Sequence, residues 1–206
     1  MLTNEQVDAA IGRLERSPVA VYVEIQKAVS SADLSADGEF AGKFCRFYRV
    51  RRSKKFWRPA FFHRMSVLRR STLQAPLPSF GEVLRALADD LPKTERGNRR
   101  VEASFASKML ATLDPERPIL DSVVLKYYRL SLPTSGTEAS RIENTIELFN
   151  TLESNVKAEL DCSSWRERRL RFDEAFSDID LNYLTDVKAL DFMIWASRDD
   201  EPEYED

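Results

Sequence analysis

The chain has 206 residues, of which 43% are hydrophobic and 32% charged, with a formal net charge of −3. That suffices for one well-buried core, and no apolar run reaches the 18 or so residues of a membrane span. Two isolated cysteines, Cys45 and Cys162, exclude a disulfide framework and a cysteine metal site, and the opening residues lack a secretion signal's layout, so a reduced, cytoplasmic setting is expected.

Taken in order, Thr3 and Gln6 have the spacing of a capping box and predict a helix to about Arg16. Pro18 restarts the chain. Val19, Val21, Val23 and Ile25 alternate as a strand would, but no second alternating run stands nearby to pair with them, which favours a helix to about Ser31. After a loop over 30–38, Phe40, Phe44, Phe47 and Tyr48 return to helical spacing. A break near 52–54 follows, and Pro59 suits the first turn of a helix ending near Arg70. The proline-bearing stretch 72–78 reads as a linker between lobes 1–71 and 79–198.

Ser79 and Glu82 form a second capping box before Val83, Leu84, Leu87 and Leu91, and Pro92 ends that helix. Val101, Phe105, Met109 and Leu113 are spaced four apart, as on a buried helical stripe. Pro115 and Pro118 interrupt the helix, and Asp121 stands where an N-cap acceptor belongs, ahead of Val123, Val124, Tyr127 and Tyr128. A long amphipathic helix over Ile142–Leu160 comes next. Ser164 and Glu167 offer a third capping box, and a last helix covers roughly Tyr183–Ser197. The expected fold is all-α, a single compact domain of about eight helices, with 199–206 as a disordered acidic tail.

Standard cofactor and metal motifs are missing. There is no G-x-x-x-x-G-K-[ST], since Gly38 to Lys43 has the wrong spacing, and no G-x-G-x-x-G, H-E-x-x-H or C-x-x-C. The lone histidine, His63, reads as a packing or surface residue. No cofactor and no metal are expected.

The charge distribution points elsewhere. Between Glu39 and Glu82 there is no acid but eleven Lys or Arg, whereas 199–206 holds six carboxylates and no base. Arg46, Arg49, Arg51, Arg52, Lys54, Lys55 and Arg58, interleaved with aromatics that include Trp57, combine phosphate-neutralising charge with rings able to stack on bases. This makes DNA or RNA the first partner to consider, with an acidic protein partner as the alternative. The acidic tail is a solubilising end or, folded back on the Lys43 to Arg70 face, would compete with nucleic acid.

The run Pro118-Ile119-Leu120-Asp121-Ser122-Val123-Val124, preceded by a helix over Ser104–Leu113, resembles the helix-hairpin-helix DNA glycosylase superfamily, in which a proline and an aliphatic residue lead into an Asp that begins a helix. The resemblance covers about thirty residues. It implies that Asp121 stabilises an oxocarbenium-like sugar as a flipped base departs. Ala103 stands where bifunctional members keep a Schiff-base lysine, which implies a monofunctional enzyme; Lys108 does not match that position, and only Gly97 represents the hairpin glycines. Glu102, which a helical wheel places among apolar positions, is a second candidate carboxylate, to be paired with an arginine of the basic run or exposed if the helix starts later.

Overall fold

The computed structural model describes residues 1–36, 38–52, 55–71, 76–93, 97 and 99–198. Lys54, the acidic run 199–206 and linker positions 72–75 lie outside the described residues. Within them the chain is all-helical, without a strand, and carries ten α-helices rather than about eight. These are α1 (Asn4–Arg13), α2 (Arg16–Val29), α3 (Glu39–Phe47), α4 (Trp57–Ser71), α5 (Phe80–Asp90), α6 (Ala103–Leu113), α7 (Ser122–Tyr127), α8 (Glu138–Leu160), α9 (Trp165–Ala175) and α10 (Asp186–Ala196). A 3-10 turn, Leu181–Tyr183, precedes α10. No helix among the described residues is long and apolar enough to cross a membrane.

Local chemistry explains most boundaries. Thr3 and Ser79 make the two reciprocal capping boxes with Gln6 and Glu82. The third does not form. Ser164 has αR backbone angles, from which its hydroxyl cannot reach back to the first-turn N–H groups; it lies 3.2 Å from the Cys162 thiol, and Glu167 pairs with Arg171. The Val19–Ile25 segment is helical, burying Val19, Tyr22, Val23, Ile25 and Gln26, because its apolar side chains also satisfy a three-to-four spacing.

One hydrophobic core runs from Leu2 to Ala196. Helix α10 lies deepest, with eight of its eleven residues buried, and packs on α1, α7, α8 and α9; α6 joins α2 and α5 on the other side. The stripe foreseen on α6 is rotated. Met109 is buried, but Val101, Phe105 and Leu113 sit at the margin, while Ala103, Ala106, Leu110 and Ala111 take the interior. Small residues there let neighbouring backbones approach.

A polar knot closes the far end. Glu159 of α8 is 1% exposed, and its carboxylate accepts from the Tyr127 hydroxyl (2.7 Å), the Tyr128 hydroxyl (3.1 Å) and the Leu2 N–H (3.2 Å). Arg168 of α9 stands 3.8 Å away. Four segments are thereby tied to one buried charge.

Candidate functional site

The extended segment between α6 and α7 is pinned before it reaches Asp121. Ser107 of α6, fully buried, accepts from the Leu120 N–H at 2.9 Å, and Thr185 donates to the Pro115 carbonyl at 2.7 Å. Asp121 then caps α7, its Oδ1 accepting from the Val124 N–H at 2.9 Å. The cap engages one carboxylate oxygen only.

The same carboxylate lines a cleft of about 540 Å³, within the size range of small-ligand sites. Its walls come from the start of α2 (Ser17, Pro18), the end of α3, Lys108 of α6 and one face of α10. On its floor Lys188 and Asp191 form a buried ion pair. The Lys188 ammonium is ringed by Phe192 (4.7 Å to the centroid), Tyr22 (5.0 Å), Phe47 (5.3 Å) and Tyr48 (5.9 Å), so aromatic quadrupoles support a charge that burial alone would disfavour.

Charge coupling across the floor is strong. Burial, and then the neighbouring Asp191, push the Asp121 carboxyl above its ordinary range, against the pull of the Val124 N–H, Lys108 and Lys188. Burial lowers the Lys108 ammonium, and Asp121 and Asp191 only partly offset this. At Lys188 the desolvation that lowers it is outweighed by Asp191, Tyr48 and Asp121, and the net direction is upward. The cleft thus brings a carboxyl shifted upward together with two amines shifted in opposite directions, a pattern that recurs at functional sites.

Of the expected basic residues that are described, Arg46 and Arg49 line this cleft, whereas Arg51, Arg52, Lys55 and Arg58 do not. Arg52 is turned to Glu102, with Nη2 3.0 Å from Oε2 and the guanidinium over the Phe105 ring. Arg58 donates to the Val50 carbonyl. Arg51 and Lys55 are exposed, and Lys55 lies over Phe56. Trp57 requires a correction as a stacking residue: it is 4% exposed, stacked on Phe61 at 4.7 Å and edge-on to Phe105, so its indole belongs to the core. Glu102 is the N-cap residue of α6, 7% exposed and paired with Arg52; it does not line the cleft with Asp121. Partners for the acid-free basic run come from distant segments, through Lys43 to Glu24, Arg64 to Asp90 and Arg52 to Glu102.

Sequence reasoning foresaw the α10 helix but missed the polar pair it carries into the cleft. Lys188 and Asp191, three apart in an otherwise apolar helix, were the available signal of a buried pair. Trp195 and Arg198 complete the rim, with the Arg198 guanidinium 3.9 Å from the indole centroid and that of Arg49 at 5.7 Å.

Arg49 itself is strained. It has φ +50° at the position after the α3 cap, where the Val50 N–H closes on the Cys45 carbonyl at 2.8 Å, and glycine is the usual occupant. Arg129 repeats this after α7, with φ +55°. Arg49→Gly and Arg129→Gly are each expected to raise stability by about 0.5–1 kcal/mol in denaturant melts, the strain relieved exceeding the added chain entropy. Arg49→Gly alone also removes a cation from the cleft lining, so binding measured on the two variants separates a cap from a ligand contact. Equal binding by both variants would show that Arg49 is a cap alone.

Comparison with protein-family models, with curated proteins and with solved structures gave no match.

Proposed function

We propose that this is a cytoplasmic nucleic-acid-binding protein whose cleft receives a single nucleotide, and that Asp121 acts there in glycosylase-like, monofunctional base release. The observation that carries the reading is the lining itself: a desolvated carboxylate at the floor and arginines at the rim of one cleft. The resemblance of 104–124 to helix-hairpin-helix glycosylases supports it. The free thiols of Cys45 and Cys162 fit a reducing compartment.

In this reading the rim arginines neutralise phosphates while the base enters the cleft, in the manner of base-flipping enzymes. As the N-glycosidic bond breaks, its electron pair leaves with the base, which takes up a proton. Positive charge grows on the sugar. The Asp121 carboxylate, fixed by its cap and held in a low-dielectric setting, stabilises that charge more than water could. Water then adds to the sugar carbon and gives up its proton. Lys108 and Lys188 pull the Asp121 carboxyl towards the ionised form that this role requires, against burial and Asp191.

The test combines binding and chemistry. Affinity for single- and double-stranded oligonucleotides should fall roughly tenfold or more between about 50 and 200 mM salt, as three rim contacts would require. Base release from oligonucleotides carrying damaged or modified bases should accompany it. Salt-steep binding without release from any substrate would remove the catalytic part. Absence of binding at low salt would favour an acidic protein as the partner of the basic face.

A further inference from the structure

Arg52, Arg58, Arg64 and Arg69 of the basic run are committed to carbonyls or carboxylates of the fold itself. Two cleft residues are different. Among the described residues neither Arg46 nor Arg198 is ion-paired, and both border the cleft. Arg198 is nevertheless held in place. Its guanidinium stacks on Trp195, its backbone carbonyl accepts from Arg13 at 3.4 Å, and Ser197 before it closes the end of α10 by donating to the Ile194 carbonyl. Arg49 reaches the same indole from a left-handed backbone position locked by the α3 cap.

A guanidinium lying flat on an aromatic ring keeps its N–H edge available for a second partner. The fork of an arginine matches two phosphate oxygens at once, and prior stacking reduces the rotamer freedom lost on binding. The ring contributes no charge of its own. Its contribution is to hold the Arg198 guanidinium at the cleft mouth, with that of Arg49 over the same ring.

We propose that Trp195, Arg49 and Arg198, with Arg46 beside them, form a phosphate clamp at the cleft mouth that grips the phosphodiester flanking the nucleotide in the cleft. Trp195 is a positioning residue, Arg198 and Arg46 make the contacts, and Arg49 packs on the same indole. The ligand class is a phosphate-bearing strand of nucleic acid, and the assignment deepens the function proposed above and rests on it. The uncapped first turn of α2, which brings Ser17 and Pro18 to the same cleft, adds favourable dipole potential but is not needed for the clamp.

Two substitutions separate a built clamp from general basicity, because neither changes the formal charge. Fluorescence anisotropy of a labelled single-stranded 12-mer should show Trp195→Leu and Arg198→Lys each binding about fivefold or more weakly than the parent protein, as loss of a preorganised bidentate contact predicts. Arg166→Lys, in an exposed residue outside both the cleft and the basic run, should change nothing. Arg198 is at the surface, so its variant keeps the test valid if Trp195→Leu melts early. A second arm titrates the full chain with pyrophosphate and follows tryptophan emission, since Trp57 and Trp165 are buried and Trp195 is the partly exposed indole. The emission change should disappear in Trp195→Phe. If the 12-mer binds all variants equally, the nucleic-acid reading survives and the clamp is wrong. If pyrophosphate binds through Trp195 but the 12-mer does not bind, the clamp survives and the nucleic-acid reading fails. Binding of neither overturns both.

Discussion

Glu159→Ala should lower the unfolding free energy by about 3–5 kcal/mol, the penalty of breaking a buried charged network from one side. For a chain of this size that corresponds to a fall in Tm of roughly 6–20 °C. The reason lies in what remains behind. The Tyr127 and Tyr128 hydroxyls, the Leu2 N–H and the 6% exposed Arg168 all lose the acceptor that justified their burial. The side chain also leaves a cavity where α8 meets α7 and α9.

The same geometry orders the milder variants. Arg168→Met should be less harmful than Glu159→Ala, because the Arg168 contact is long, 3.8 Å, and the carboxylate keeps three shorter donors. Glu159→Gln should fall between the parent and Glu159→Ala, since an amide still accepts from the hydroxyls but offers Arg168 no charge. Denaturant melts at constant m-value would measure all three. A Glu159→Ala midpoint within about 1 kcal/mol of the parent would mean that the knot is incidental, and that the phenols rehydrate as the end of the molecule loosens.

Features decided within a few residues were legible in the sequence. The caps at Thr3, Ser79 and Asp121 follow from one side chain meeting an N–H three positions on. Ser164 shows the limit, because the same spelling fails when the preceding turn sets the wrong backbone angles. The pairing of Glu102 with an arginine of the basic run could be argued from burial of a charge, and Arg52 fulfils it. Long-range choices could not be read in this way. Trp57 is as compatible with a stacked base as with Phe61 and Phe105 until the course of α4 is known. The acid-free interval suggested an open basic face, yet Glu24, Asp90 and Glu102 arrive from outside it. The cleft joins Asp121 to Lys188 and Asp191, about seventy positions apart in sequence, and only tertiary packing brings them together.

Asp121→Asn provides the sharpest separation of cap from site, because the two roles predict opposite results. Asn is as good an N-cap as Asp, its side-chain oxygen able to accept from the Val124 N–H just as Oδ1 does. If Asp121 only caps α7, the variant should match the parent in every property. The electrostatics predict otherwise. The folded carboxyl is held above its ordinary range, by burial first and by Asp191 second, so the folded chain binds this proton more tightly than the unfolded chain does. Between the unfolded value near roughly 3.9 and the raised folded value, unfolding releases a proton, and stability falls as pH rises. Above that window the unfavourable ionisation is fully felt. Asn removes the ionisation, so Asp121→Asn should be at least as stable as the parent at pH 7. Its stability curve should also lose the decline that begins near pH 4. Base release should drop by about 10²-fold or more, since a neutral amide cannot offset charge on the sugar. A variant that is stable, flatter with pH and inactive would identify a carboxylate kept against the interest of the fold. One that matches the parent in stability, pH dependence and activity would return Asp121 to the role of a helix cap.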